Sequence, residues 1–238
     1  MIRGLEIIGV YLKMERPYIL VFSTISVDGG LSVKGKRYRL SSDRDIYRLH
    51  YFRSIVDAVM VGANTVIIDD PLLTVRLPDY KGKQPYRVVV DGKLRVMPEL
   101  RVFDTRHAPT ILITSINNKD REMIRRFLSR GVRILFVDTD KYDPSKIDLR
   151  KAVEKLYREF SIRKILVEGG GQLIASLFKN RLIDELYLSI SPLIIGLNKT
   201  SLIEDFLDSP VRLVLKNIFV DHITGEIIVN YKPFYEDH

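Results

Sequence analysis

Short runs of valine, isoleucine and leucine alternate along the chain with segments whose apolar residues recur at helical spacing. Most of these runs are continuously apolar, which is typical of parallel strands that are buried on both faces. The strands that this pattern predicts are residues 18–23, 58–61, 87–90, 110–114, 133–137, 164–167 and 186–190. Strands that alternate with helices predict a three-layer α/β domain with a largely parallel central sheet.

Four segments are predicted to be helical. They are the segment after Ser42 and residues 119–130, 149–160 and 172–179. Ser42 and Asp45 fit a capping box at the start of the first of them. Near the end of the chain, residues 213–220 and 226–232 predict an antiparallel hairpin that extends one edge of the sheet.

The charge balance favours an anionic partner. The 238 residues carry a formal net charge of +8 at pH 7, which suits nucleic acid, phosphorylated metabolites or a dinucleotide. No ribonucleoprotein or helix-turn-helix signature accompanies the basic residues, so we expect no nucleic acid as the primary partner. The chain has no cysteine and its four histidines are not spaced as metal ligands, so no metal site is expected.

The apolar runs also indicate where the protein resides. The longest of them, residues 186–195, contains two serines and a proline and is too short to span a bilayer. The N-terminus lacks the apolar block and the cleavage site of a signal peptide. We therefore expect a cytoplasmic protein with no membrane partner.

Two predicted strands end in residues that are suited to holding a ligand. The stretch VGANTVIIDDPLLTVR (61–76) leaves its strand at Gly62 and continues with Asn64 and Thr65. In KILVEGGGQLIASLF (164–178), a strand ends at Glu168 and three glycines lead into a helix. Ligands bind at the carboxyl ends of parallel strands, and glycines leave backbone amides open to a phosphate. The third glycine of the dinucleotide fingerprint is absent, so a simple tight turn is the alternative interpretation.

A third strand end offers two cations. In VVVDGKLR (88–95), Lys93 and Arg95 follow Asp91. They could hold, through charge-assisted hydrogen bonds, the 2′-phosphate that distinguishes NADP from NAD. A solvated turn explains the same residues equally well.

Several motifs occur in the order found in the riboflavin-biosynthesis reductases. They are SVDG at 26–29, the stretch at 61–76, VVVDGKLR at 88–95, VEGGG at 167–171 and SPLIIG at 191–196. The chain resembles this family over residues 17–231, and its Thr-x-x-x-Asp-Asp-Pro-x-Leu-Thr-x-Arg string is highly specific. The resemblance implies a fold similar to dihydrofolate reductase. It also implies a single reductase domain over residues 17–238, preceded by an N-terminal extension over residues 1–16.

The resemblance further implies a reaction and a cofactor. The expected reaction is the NADPH-dependent reduction of 2,5-diamino-6-ribosylamino-4(3H)-pyrimidinone 5′-phosphate to the ribitylamino compound. Hydride would pass to C1′ of the ring-opened imine. NADH is the other possible cofactor, and members of the family are typically homodimers.

Two sets of site residues are implied by position. The cofactor set is Thr24, Ser41, Thr65, Asp69, Gly92, Lys93, Leu94, Arg95, Ile147, Gly169, Gly170, Gly171 and Gln172. The substrate set is Arg53, Leu73, Arg76 and Glu168. The two arginines suit the 5′-phosphate by charge and fork geometry, and the glutamate suits a hydrogen bond to the pyrimidine or the sugar. No general acid is assigned, since a turn with the following glycines explains Asp28 better than proton donation does.

Two other functions stay open at this point. One is an NADPH-dependent reductase of the same fold that acts on a pterin or a folate and needs no phosphate ligands. The other is a nucleic-acid-binding module, which would bind oligonucleotides in a salt-dependent way. Dependence on the substrate phosphate separates the first alternative from the leading hypothesis.

Overall fold

The structure, a computed structural model, describes residues 15–34 and 38–235. Most of the predicted N-terminal extension, with its apolar residues at 2, 5, 7, 8 and 12, lies outside the described residues.

Within the described residues, a nine-stranded sheet forms the centre of the molecule, with the order β10-β11-β8-β1-β7-β3-β4-β5-β6. Its strands from β8 to β6 are parallel, and the C-terminal hairpin adds β11 and β10 in antiparallel pairing. Two further strands, β2 and β9, form a small sheet of their own. The strands are β1 (Tyr18–Ser26), β2 (Gly30–Val33), β3 (Ala58–Gly62), β4 (Tyr86–Val90), β5 (Thr110–Ser115), β6 (Arg133–Val137), β7 (Lys164–Val167), β8 (Glu185–Ser191), β9 (Lys199–Ser201), β10 (Arg212–Asp221) and β11 (Glu226–Phe234).

Helices cover both faces of the sheet. They are α1 (Asp43–Ser54), α2 (Ala63–Asp69), α3 (Glu122–Ser129), α4 (Leu149–Phe160) and α5 (Gly171–Lys179). In β1, Ile19 and Val21 belong to the core cluster of α4 and α5, whereas Leu20 and Phe22 belong to that of α1, α2 and α3. This alternation confirms the predicted three-layer fold. In the described part of the chain, no helix is long and apolar enough to cross a membrane.

All the predicted strands are present, but three short elements were missed. The segment after Gly62 was not predicted to be helical and is the seven-residue helix α2. Strands β2 and β9 have four and three residues and are only partly buried, so neither shows a readable apolar period. Helix α3 begins at Glu122 rather than at residue 119 because residues 116–118 form a separate 3-10 turn.

The start of α1 is only partly as predicted. Ser42 Oγ accepts a hydrogen bond from Asp45 N at 3.1 Å, as in a capping box. The Ser42 N–H, however, donates to Glu226 Oε1 in β11 at 2.9 Å rather than to the side chain of Asp45. A carboxylate distant in sequence thus replaces the local one. Asp45 is 1% exposed and points into the protein.

Candidate active site

A crevice opens in the sheet where β7 ends. Strand β1 is in register with β7 only as far as Val21, opposite Val167, but continues beside β8 to Ser26. After Val167, Glu168 stays beside β3 through its N–H, which donates to Met60 O at 3.2 Å. The chain then turns away into the triple glycine. Breaks of this kind at the carboxyl ends of parallel strands are where α/β sheets bind ligands.

The glycine turn meets the tip of β3 in this crevice. Gly169 and Gly170 have φ values of +131° and +90°, which side chains other than glycine rarely adopt. A Cβ at Gly170 would lie 3.4 Å from Thr65 Oγ1 and 3.7 Å from Gly62 N. The two glycine-rich strand ends are therefore neighbours. The N-cap residues of α2 and α5, Gly62 and Gly170, provide no side-chain hydrogen bond to the backbone N–H groups at the two helix starts.

A glycine is required at position 171 for a different reason, which is close packing. A Cβ there would come within 2.6 Å of Ser201 O and of the Glu204 side chain. This glycine is required because the segment after β9 packs closely against the start of α5, whereas the surroundings of Gly169 are open. The backbone amides open to a ligand therefore belong to the first part of the triple glycine.

A cleft of about 980 Å³ runs from the glycine turn across the tips of β3 and β4. Predicted cofactor residues in its wall are Gly92, Lys93, Arg95, Ile147, Gly170, Gly171 and Gln172. Asp69 ends α2 one turn after Thr65, on the same side of that helix. Leu94 is placed differently, since its side chain is 5% exposed and packs in the core, leaving only its backbone near the cleft. In residues 15–34 and 38–235, no group of His, Asp and Glu is arranged to hold a metal ion.

The turn after β4 presents two cations, Lys93 and Arg95, to the cleft. Asp91 Oδ2 accepts from Val96 N at 2.8 Å and from Arg95 N, which fixes the turn. Asp91 Oδ1 is buried and has no hydrogen-bond partner among the described residues. The Arg95 guanidinium donates to Asn64 Oδ1 at 2.8 Å and so bridges this turn to α2. Asp91 Oδ1 also lies 3.7 Å from Arg95 Nε, so this buried carboxylate holds both the backbone of the turn and the Arg95 side chain, while Lys93 and Arg95 are exposed and suit a phosphate.

On the other side of the crevice, α1 is joined to the tip of β7 by a buried ion pair. Arg53 Nε and Nη2 donate to the two carboxylate oxygens of Glu168, each at 2.6 Å. Both side chains are 6% exposed. Arg53 Nη1 also donates to Thr74 O at 2.8 Å. The guanidinium is thus engaged by protein groups, and Arg53 fixes both Glu168 and the segment before Arg76.

Arg76 follows this segment and is exposed. Its backbone N–H donates to His50 Nδ1 at 3.1 Å. Burial and the charges of Arg53 and Arg101 lower the pKa of Arg76. The exposed Arg76 guanidinium therefore lies within the electrostatic reach of Arg53 and Arg101, although Glu168 partly offsets their charge, and these positive surroundings favour an anion beside it.

Leu73 is less available than predicted. Its side chain is 2% exposed and belongs to the hydrophobic core, so it does not present an apolar surface to a ligand. Its backbone has φ +54°, and Asp70 and Leu94 also have positive φ. Strained backbone of this kind gathers at functional sites.

Thr24 and Ser41 lie together at the end of β1. Ser41 Oγ donates to Thr24 Oγ1 at 2.8 Å, and Thr24 Oγ1 donates to Asp45 Oδ2 at 2.6 Å. The predicted pair is thus part of a three-residue network with a buried carboxylate.

Asp28 is held as a structural carboxylate. It accepts hydrogen bonds from Ser26 Oγ at 2.6 Å, Lys199 Nζ at 2.9 Å and Gly196 N at 2.8 Å. The bond from Lys199 is the main reason why the pKa of Asp28 lies well below its usual range. A carboxylate in this state favours the turn interpretation over proton donation.

The sequence model of the RibD C-terminal domain family matches residues 17–224. The chain belongs to this family. A relative from Methanothermobacter thermautotrophicus, named 2,5-diamino-6-ribosylamino-4(3H)-pyrimidinone 5′-phosphate reductase, is 31% identical over 91% of this chain and 98% of its own length. A relative of the same name from Aquifex aeolicus is 34% identical over 77% of this chain and 80% of its own.

Solved structures confirm the predicted dihydrofolate-reductase-like fold. A pyrimidine reductase-like protein from Corynebacterium diphtheriae superposes with a TM-score of 0.77 at 21% identity, covering 92% of this chain and 93% of that one. RibD from Acinetobacter baumannii superposes with a TM-score of 0.76 at 20% identity over 93% of this chain. This chain spans 59% of the Acinetobacter chain.

Three residues near the site were not predicted. Asn64 holds Arg95, His50 holds the backbone of Arg76, and Asp45 holds Thr24. The available signal lay on α1, where Asp45, His50 and Arg53 are polar residues buried by a helix that otherwise packs on the core. Buried polar groups on a core-facing helix indicate a functional surface.

The Arg53 and Glu168 pair generates a stability prediction. Arg53→Met should lower the free energy of unfolding by about 3–5 kcal/mol, because Glu168 stays buried without a partner. The double variant Arg53→Met with Glu168→Leu should recover most of this loss. Urea unfolding of both variants is the measurement, and an undiminished loss in the double variant would contradict the assignment.

A second prediction concerns pH. Burial lowers the pKa of His50 to about 4, so between pH 6.5 and 4 the unfolded chain binds a proton that the folded protein does not. The stabilisation is therefore complete above pH 6.5 and is lost as the pH falls towards 4, by about 1–2 kcal/mol once solvent screening is allowed for. Urea unfolding at both ends of this range should show a smaller pH dependence for His50→Gln than for the wild type. Equal slopes would show that His50 does not titrate in this way.

Proposed function

We propose that this protein is the NADPH-dependent reductase that converts 2,5-diamino-6-ribosylamino-4(3H)-pyrimidinone 5′-phosphate to its ribitylamino product. One observation carries the proposal: Glu168 stands directly before the open glycine turn and binds Arg53, which also holds the segment that leads to the exposed Arg76. A dinucleotide and a phosphorylated sugar need two anion sites side by side. The reductase names of the relatives support the same conclusion.

The cleft residues fit a nicotinamide dinucleotide. The open backbone of Gly169 and Gly170, beside Thr65, would take the pyrophosphate, because a Cβ at Gly170 would fill that space. The nicotinamide supplies the hydride that reduces C1′ of the ring-opened imine. The residues of the chain hold both molecules in register and exclude water.

The preference for NADPH is proposed from the β4 turn. Lys93 and Arg95 are both exposed at the cleft and are suited to a 2′-phosphate. Asn64 holds the Arg95 guanidinium at the edge of the cleft. A ribose that lacked the phosphate would leave these cations without a ligand.

The substrate is proposed to lie on the α1 side of the crevice. Arg76 would bind the 5′-phosphate, since its side chain is exposed and a guanidinium suits a phosphate by charge and fork geometry. Arg53 would act mainly by holding Glu168, because its donors already bind Glu168 and Thr74 O. Glu168 would then meet the pyrimidine or the sugar in a fixed orientation.

We also propose that the protein is a homodimer formed through β10. This strand is one of the two edges of the large sheet, the other being β6, and Leu215, Ile218 and Phe219 on it are 52%, 60% and 56% exposed. Apolar edge strands are normally covered. A second copy is the proposed cover because two identical edges can pair about a two-fold axis.

The cytoplasmic location and the lack of a nucleic-acid partner stay predictions of the sequence.

Activity with defined substrates tests the proposed reaction. The wild type should oxidise NADPH faster than NADH and only with the phosphorylated pyrimidine, not with its dephosphorylated form or with dihydrofolate. Arg76→Ala should raise the KM for the phosphorylated substrate about 10- to 100-fold, the value of a lost charge-assisted hydrogen bond, and leave the Kd of NADPH unchanged.

Arg106→Ala is the matched control, since Arg106 is an exposed arginine whose guanidinium pairs with Asp104. It should change neither constant. Equal losses for substrate and cofactor in Arg76→Ala would contradict the phosphate assignment. Turnover of dihydrofolate would favour the folate alternative.

The oligomeric state tests the second proposal. Ile218→Lys should give monomers in sedimentation velocity, because it introduces a charge into the proposed interface. Ile223→Lys, at an 81% exposed position in the hairpin turn, should leave the dimer intact. A monomeric wild type, or a dimeric Ile218→Lys, would rule out this interface.

A further inference from the structure

A chain of hydrogen bonds with a fixed direction lies at the end of β1. Ser41 Oγ donates to Thr24 Oγ1 at 2.8 Å, and Thr24 Oγ1 donates to Asp45 Oδ2 at 2.6 Å. Asp45 is 1% exposed. A carboxylate can only accept, so it determines the direction of both hydroxyl protons.

The carboxylate is itself held in place. Arg48 Nη1 donates to Asp45 Oδ1 at 3.4 Å and to Glu226 Oε2 at 3.1 Å, and Arg48 also pairs with Asp221. The backbone N–H of Asp45 is bound to Ser42 Oγ. The two carboxylate oxygens therefore have different donors, one facing Arg48 and the other facing Thr24.

Thr24 and Ser41 lie on the β1 side of the break in the sheet. Thr24 lies three residues beyond the last β1 residue that pairs with β7, and both Thr24 and Ser41 are partly exposed. The order of the sheet is β1, β7, β3, β4. The pair is therefore at the β1 end of the crevice, whereas Lys93 and Arg95 follow β4 at the opposite end. If those cations take the adenosine end of the cofactor, this end receives the nicotinamide ring.

We infer that Asp45 is a positioning residue that makes the Ser41 and Thr24 hydroxyls acceptors for a ligand N–H group, the carboxamide nitrogen of the nicotinamide. This inference rests on the proposed function. The Ser41 hydroxyl proton is donated to Thr24, and the Thr24 hydroxyl proton is donated to Asp45. Towards the crevice, the two hydroxyl oxygens can therefore only accept hydrogen bonds. A carboxamide has a donor side and an acceptor side, and a fixed acceptor selects between its two orientations. The amino groups of the substrate are the other possible source of an N–H donor.

Asp45→Asn changes the direction of the chain without changing the volume of the side chain. Arg48 donates to Oδ1, so the amide of an asparagine would turn its oxygen to Arg48 and its NH₂ group to Thr24. Thr24 would then accept from residue 45 and would be free to donate into the crevice. A donor would face the carboxamide NH₂ group, which is unfavourable.

The test compares NADPH with its reduced 3-acetylpyridine analogue, in which a methyl group replaces the carboxamide NH₂. Dissociation constants would be measured by fluorescence titration, and KM for the pyrimidine substrate by activity. Asp45→Asn should weaken NADPH binding about 5- to 10-fold, the value of one hydrogen bond, and leave the binding of the analogue unchanged. Asp43→Asn, a 93% exposed carboxylate in the same turn, should change neither.

Ser41→Ala provides an independent arm that leaves the buried carboxylate in place. Ser41→Ala should also bring the dissociation constants of NADPH and of its acetylpyridine analogue closer together. This result would test the inference even if Asp45→Asn did not fold. Equal weakening of both cofactors in these variants, or no change, would overturn the inference. A change confined to KM for the substrate would assign the N–H donor to the pyrimidine and overturn it too. If the wild type binds neither cofactor, the proposed function itself fails.

Discussion

The buried ion pair between Arg53 and Glu168 is the interaction on which the site depends. Removing two charges from water is costly, and the pair is stable only because each carboxylate oxygen and three guanidinium nitrogens have partners. Such a pair tolerates little displacement. It therefore fixes α1, the tip of β7 and the segment at Thr74 relative to one another, and the walls of the crevice follow from that arrangement.

Helix α1 packs on the core with one part of its surface and on the crevice with another. Leu49 and Phe52 contact the hydrophobic cluster, whereas Asp45, His50 and Arg53 are buried among polar partners. A purely apolar helix would be a simpler way to stabilise the fold. The polar residues are explained by the crevice: each one orients a group at its edge. The Ser42 N–H donates to Glu226 in β11, so the start of α1 is also fixed relative to the hairpin.

The sequence predicted most of the sheet because parallel strands are apolar on both faces and form recognisable runs. It missed α2, β2 and β9 because these elements are too short for their apolar residues to show a period. It also assigned the carboxylate that accepts from the Ser42 N–H to Asp45, although Glu226 provides it. Local patterns identify elements well, but the choice between two carboxylates depends on a contact that only the folded chain creates.

The same limit applies to the site. Residues at strand tips were predictable, since the end of an apolar run determines where a loop meets the crevice. The pairing of the charges was not predictable, because partners such as Arg53 and Glu168 lie 115 residues apart in the sequence. Folding divides the charges into two groups. Those that bind one another, such as this pair, give the crevice its shape, and those left exposed, such as Lys93 and Arg76, are available to hold anionic ligands.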